Sequence, residues 1–106
     1  MLSRAIKLAA KKSRHKMHKH AVLVLKSSNI IAIGVNHEEV HAEISALKKL
    51  SPQRRKGTKI ISIRLRRGGV LGLAKPCKEC EKFLRDNGVQ AVTYSNNDGS
   101  MTTEYY

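Results

Sequence analysis

The sequence predicts an α/β layered fold, on three observations. Apolar runs of strand length alternate with segments whose apolar residues recur every three or four positions. There is no internal repeat and no low-complexity linker, so residues 1–106 read as a single domain. A hydrophobic content of 41% supplies one core, and 106 residues are too few for two.

The elements follow in order. Leu2, Ala5, Ile6, Ala9 and Ser13 share one helical face while Arg4, Lys7, Lys11 and Arg14 take the other, which predicts a basic amphipathic helix over 2–14. HAVLVLK and IIAIGVN follow as two strands parted by SSN, a hairpin pattern. The second run is apolar at nearly every position, as expected of a central strand covered on both faces. Val40, Ile44 and Leu47 mark a second helix, interrupted by Pro52 and Gly57 in SPQRRKG. In KIISIRLR, Ser62, Arg64 and Arg66 alternate with Ile61, Ile63 and Leu65, so this strand should have one face that is wet or meets a charged ligand. A glycine-rich loop, RGGVLGLAK, leads to a third helix carrying Cys77, Cys80, Phe83, Leu84 and Asn87 and closed by Gly88. VQAVTY makes a fourth strand, NNDG a turn, and SMTTEYY a short fifth strand of open direction. Val22, Leu23, Val24, Leu25, Ile31, Ile33, Ile61, Ile63 and Val92 are expected in the core.

Charge narrows the partners. Twenty-one Lys and Arg against eight Asp and Glu leave a net +13, where solubility alone needs about 2 to 8. A surface so basic is drawn to polyanions, and Lys11, Lys12, Arg14, Arg54, Arg55, Arg64, Arg66 and Arg67 are the candidates for a track along single-stranded DNA or RNA. Aromatics are only 4% of the chain, which leaves Tyr94, Tyr105 and Tyr106 as candidate stacking platforms. No run is long and apolar enough to span a membrane and no secretory pattern opens the chain, so a cytoplasmic protein without a membrane partner is expected. The sheet would leave apolar surface for a second copy to cover, and a homo-oligomer is expected on that ground.

Residues 35–47, VNHEEVHAEISAL, hold two zinc patterns that share His41. Read from His37, HEEVH is the metalloprotease pattern, which needs both histidines inside one helix. Asn36 and His37 come directly off a strand, which leaves little room for that helix, and the reading leaves PCKEC, residues 76–80, idle. Read from His41, HAE supplies one nitrogen ligand while Cys77 and Cys80 supply two sulfurs, leaving a fourth position open for water and Glu43 spare to carry protons. As a redox pair the two cysteines would leave HAE unexplained. His15, His18 or His20 could instead complete a closed four-ligand site, which would make the chain a zinc-stabilised nucleic-acid-binding module without catalysis.

The H-x-E and P-C-x-x-C pair, with GVN, HAEISAL, KPCKEC and GVQAVTYS in this order, resembles the cytidine and deoxycytidylate deaminase superfamily, in particular its compact phage and viral forms. The resemblance runs from the first strand to Tyr94. It implies a three-layer α/β/α cytidine deaminase-like fold with a mixed sheet of four to five strands and zinc held between the starts of two helices. It also implies a hydrolase of cyclic amidine C–N bonds, with His41, Cys77 and Cys80 as Zn2+ ligands and Glu43 as the catalytic proton carrier. The backbone N–H of Ala42 would hold the base carbonyl and Asn36 would touch the sugar or base. Cytosine in single-stranded nucleic acid is the expected substrate, with free dCMP or cytidine, or adenosine in tRNA, as alternatives.

Overall fold

The computed structural model describes residues 7, 19–36, 41–66 and 70–106. Its strands are β1 (Lys19–Lys26), β2 (Asn29–Val35), β3 (Lys59–Leu65), β4 (Leu71–Gly72), β5 (Ala91–Ser95) and β6 (Met101–Tyr105). The helices are α1 (Ala42–Lys48), a single turn α2 (Pro52–Arg55) and α3 (Lys78–Asp86). The basic helix expected over 2–14 lies outside the described residues apart from Lys7.

One mixed sheet carries all six strands in the order β2-β1-β3-β5-β6, with the short β4 paired to the end of β3. The β3–β5 pairing is parallel and the others are antiparallel. β1, β3 and β5 are therefore the interior strands, and Ala21 through Val24 are fully enclosed. β2, expected at the centre, is an edge strand among the described residues. Its apolar character has a local cause: a bulge between Val24 and Leu25 pairs Val24 with Ala32 and Leu25 with Ile30, so Ile31 is extra. Ile30 and Ile33 then pack with one core cluster while Ile31 and Ala32 pack with the other. The hairpin turn is Ser27–Ser28, both at positive φ (52° and 67°), as a two-residue turn matched to strand twist requires.

The main core lies between the sheet and the two longer helices. Val22, Val24, Ile60, Val92 and Tyr94 face Ala42, Ala46 and Leu47 of α1 and Leu84 of α3. On the opposite face Leu23 and Ile63 are fully buried as well. Ser62 is likewise fully enclosed and Arg64 half-buried, so the wet face expected for the third strand is absent; only Arg66, just past β3, is exposed. The reason is that Ser62 finds its polar partners inside the protein.

Helix ends follow from sequence. Pro52 starts α2 at its first position, where a missing N–H costs nothing, although the same proline reads as a breaker in SPQRRKG. Gly88 (φ 79°) closes α3: its N–H donates to Arg85 O and that of Val89 to Leu84 O, a Schellman arrangement sealed by Val89 and Leu84 in the core. The turn Asn96–Gly99 returns the chain so that β6 runs antiparallel to β5, which fixes the direction of the last strand.

Candidate metal centre

His41 is the N-cap of α1, extended at φ −71° and ψ 142°, and its side chain makes no capping bond. Its carbonyl accepts from the Ser45 N–H at 3.0 Å, so the backbone serves the helix and the imidazole is left for other work. Because the helix begins at Ala42, His41 stands outside it, and the two-histidine helical site of a metalloprotease cannot form; His37 lies outside the described residues. Ala42 is buried at the first helical position, where a backbone N–H has no partner within the helix. Glu43 follows one residue later.

The second half of the site opens α3. Cys77 is the N-cap, and its Sγ accepts from the Cys80 N–H at 3.5 Å. Pro76 lies immediately before the cap, outside the helix. Thiolates are favoured where a helix N-terminus points its amides at sulfur. The approach to this end is fixed by the Ala74 N–H, which donates to Ser95 O at 2.9 Å.

Together these elements bring one ligand atom each from His41, Cys77 and Cys80 within 4.8 Å of one another. His41 and Cys77 are exposed and Cys80 is buried. One imidazole and two sulfurs form a donor set suited to zinc, and no fourth His, Cys, Asp or Glu joins them among the described residues. Burial pushes the Cys80 thiol well up, helped by the charge of Glu43 and by Cys77, and a cation among these groups would offset that rise.

Glu43 is 1% exposed. Its Oε1 lies 3.3 Å from His20 Nε2 and 3.5 Å from Ser62 Oγ. Its Oε2 has no hydrogen-bond partner; among the described residues the only other such buried side-chain atom is Arg64 Nε. A buried carboxylate oxygen without a protein partner is what a site for a metal and its water needs.

The structure brings Glu43, His41, Cys77, Cys80 and Ala42 to the paired helix starts. Asn36 sits just beyond β2, where its Oδ1 accepts from the His20 N–H at 2.9 Å and its own N–H donates to His20 O at 3.1 Å. The basic candidates scatter. Arg55 donates from Nε to Leu47 O and Leu50 O, both at 2.9 Å, and from Nη1 to Asn87 Oδ1 at 3.0 Å. Arg66 donates to Leu71 O at 3.2 Å and Asn97 O at 3.1 Å. Arg54 is exposed on α2, Arg64 is half-buried on the strand that carries Ser62, and Lys11, Lys12, Arg14 and Arg67 lie outside the described residues. Of the tyrosines, Tyr94 is buried with its hydroxyl on Glu104 at 2.7 Å, and Tyr106 packs its ring over Arg85.

Two residues of the site escape sequence reasoning. His20 reads as one of three histidines that could complete a closed zinc site; it is instead buried, absent from the His41–Cys77–Cys80 cluster, with Nε2 on Ser62 and Glu43. His15 and His18 lie outside the described residues. Burial holds the His20 imidazole below its ordinary pKa against the opposing pull of Glu43, which favours the neutral ring beside that carboxylate. Ser62 reads as a wet-face residue, and the only signal for it is a lone hydroxyl inside an apolar strand.

Residues 1–96 match the family described as the cytidine and deoxycytidylate deaminase zinc-binding region. The chain belongs to this deaminase family. Its cluster of His41, Cys77 and Cys80 fits Zn2+. Among solved structures it is similar to Acinetobacter baumannii RibD (TM-score 0.67, 20% identity, covering 90% of this chain and 26% of that one). A Thermotoga maritima diaminohydroxyphosphoribosylaminopyrimidine deaminase/5-amino-6-(5-phosphoribosylamino)uracil reductase is also similar (TM-score 0.64, 21% identity, 89% of this chain and 28% of that one). So is the dCMP deaminase of cyanophage S-TIM5 in apo form (TM-score 0.62, 23% identity, 89% of this chain and 81% of that one). The chain thus spans about a quarter of RibD and most of the phage enzyme. These likenesses establish the cytidine deaminase-like fold, here with a mixed sheet of six strands. No curated protein matches the sequence. No helix among the described residues is long and apolar enough to cross a membrane.

Proposed function

We propose that the chain catalyses zinc-dependent hydrolytic deamination of cytosine to uracil and ammonia, with His41, Cys77 and Cys80 holding the metal and Glu43 carrying the protons. The observation that carries this reading is the pairing of a three-ligand cluster with an enclosed carboxylate whose Oε2 lacks a protein partner. When bound, zinc supplies a Lewis acid that brings the pKa of a water toward neutrality. Glu43 Oε2 takes one proton of the attacking water and delivers it to the ring nitrogen, then carries the proton of the newly added hydroxyl to the amino group; a C–O bond forms, the C–N bond breaks and ammonia leaves. The Ala42 N–H orients the base through its carbonyl, and Asn36, fixed by its bonds to His20, borders the sugar.

Two substrate classes remain distinct. A free cytosine nucleotide of the dCMP type is favoured by the commitment of Arg55 and Arg66 to internal carbonyls, and by Arg64, whose unpartnered Nε on the Ser62 strand suits a single phosphate. The similar phage protein described as a dCMP deaminase supports the same choice. Cytosine in a single strand is favoured by the net +13. Zinc-loaded protein incubated with dCMP, cytidine, and cytosine-containing single-stranded DNA and RNA decides between them by which cytosine is converted to uracil with release of ammonia. dUMP from dCMP is expected, uracil within the polymers alone would move the assignment to nucleic acid, and conversion of none of them would end the cytosine-deaminase reading. Glu43→Ala should abolish turnover while zinc content, measured by elemental analysis, stays at the wild-type level.

A further inference from the structure

A carboxylate that relays protons must present one oxygen to the reaction and keep it there, because a shift near 1 Å costs about a hundredfold in rate. Glu43 sits on the second residue of a seven-residue helix, and its side chain is held from outside that helix. Ser62 Oγ lies 2.6 Å from His20 Nε2 and donates to Ala74 O at 3.1 Å. A hydroxyl has one hydrogen; with that hydrogen on the Ala74 carbonyl, or turned to Glu43 Oε1 at 3.5 Å, Ser62 can only accept from His20. In the Nε2–H tautomer His20 donates to Ser62 Oγ, and the same nitrogen lies 3.3 Å from Glu43 Oε1. The His20 backbone is pinned in turn by Asn36 at both its N–H and its carbonyl. This network joins the end of β2, the start of β1, the middle of β3 and the segment that leads into Cys77. It occupies Oε1 and leaves Oε2 alone without a partner.

We propose that His20, seated by Ser62, is a positioning residue for the deamination: it holds Glu43 by Oε1 so that Oε2 faces the metal ligands. The proposal rests on the deaminase reading of the preceding section. It assigns a neutral donor to a position where burial disfavours charge, so the pair adds a hydrogen bond to the carboxylate without adding a buried cation beside the zinc ligands.

The test compares wild type, His20→Ala, His20→Gln and Ser62→Ala as zinc-loaded proteins on whichever substrate the wild type deaminates. His20→Ala should lower kcat by about 10- to 100-fold, the range for partners that orient a metal site, with KM within about twofold. Zinc content should match the wild type. His20→Gln, which returns an N–H donor at nearly the same reach, should recover most of the lost kcat, and Ser62→Ala should fall between the two. Long-range 1H–15N spectra supply a readout independent of turnover: the His20 Nε2 resonance should report a protonated nitrogen and should move on Glu43→Gln. Wild-type kcat in His20→Ala, loss of zinc with no rescue by His20→Gln, or an Nε2 signal indifferent to Glu43→Gln would each overturn the positioning role. A wild type inert toward every substrate overturns the deaminase reading and this proposal together, whereas an active wild type with an unaffected His20→Ala overturns the proposal alone.

Discussion

Gly34→Ala tests how the sheet sets the position of Glu43. Gly34 is buried in β2 opposite Val22, where α1 rests directly on the strand. A Cβ there would strike the Ala42 carbonyl oxygen and would lie 2.6 Å from Ala46 N and 2.8 Å from Ala46 Cβ. Ordinary contact begins at 3.4 Å, so α1 must retreat by about 1 Å. Overpacking of this kind costs about 1–3 kcal/mol, and about 2 kcal/mol in a domain of this size lowers Tm by roughly 10 °C. The residue struck is Ala42, between His41 and Glu43, so the same retreat should also lower kcat by about 10- to 100-fold. Thermal unfolding followed by circular dichroism and a kcat measurement on the purified variant check both. A Tm within about 2 °C of wild type would refute the packing argument; a lowered Tm with wild-type kcat would show that β2, an edge strand, yields in place of the helix.

Three further outcomes are expected. Arg55→Ala removes three hydrogen bonds that tie the end of α1 to α3, and should cost about 1–3 kcal/mol in urea unfolding while leaving kcat unchanged. Replacing Ser27–Ser28 by Asn–Gly, residues that accept positive φ, should stabilise the hairpin by about 0.5–1 kcal/mol, read as a raised urea midpoint at unchanged m-value. Burial lowers the pKa of His20 below 6.5, with Glu43 raising it and Arg64 and His41 lowering it further, so the folded state prefers the neutral ring. The stability this contributes is complete above pH 6.5 and is lost as pH falls from there through the lower folded value. Unfolding free energies taken across that window should fall less steeply in His20→Gln than in wild type, and parallel curves would contradict the assignment.

Much of the fold is legible because strand runs and turn residues announce themselves locally. HAVLVLK, KIISIRL and VQAVTY all become strands, and Gly88 and NNDG end elements where their backbone freedom is needed. Lateral order is different. An apolar run reports that both faces of a strand are covered and carries no information about its neighbours in the sheet, so β2 reads as central while lying at an edge. Polar alternation misleads in the same way at Ser62, where the hydroxyl is satisfied by His20 and Ala74 inside the core. The clustering of His41, Cys77 and Cys80 is legible because zinc chemistry restricts both residue type and spacing. The basic candidates are harder to read, since a guanidinium counts as surface charge in a sequence even when, as at Arg55 and Arg66, its donors close backbone carbonyls.

The imidazole comes from one crossover of the chain and both sulfurs from another, separated by roughly 36 residues. An ion seated among them would staple those two excursions together, much as a cross-link does, and would withdraw loop-closure entropy from the unfolded ensemble. Chelation should then loosen the seam between the two helix starts before it melts the sheet, so that catalytic competence is surrendered while most of the strands still hold.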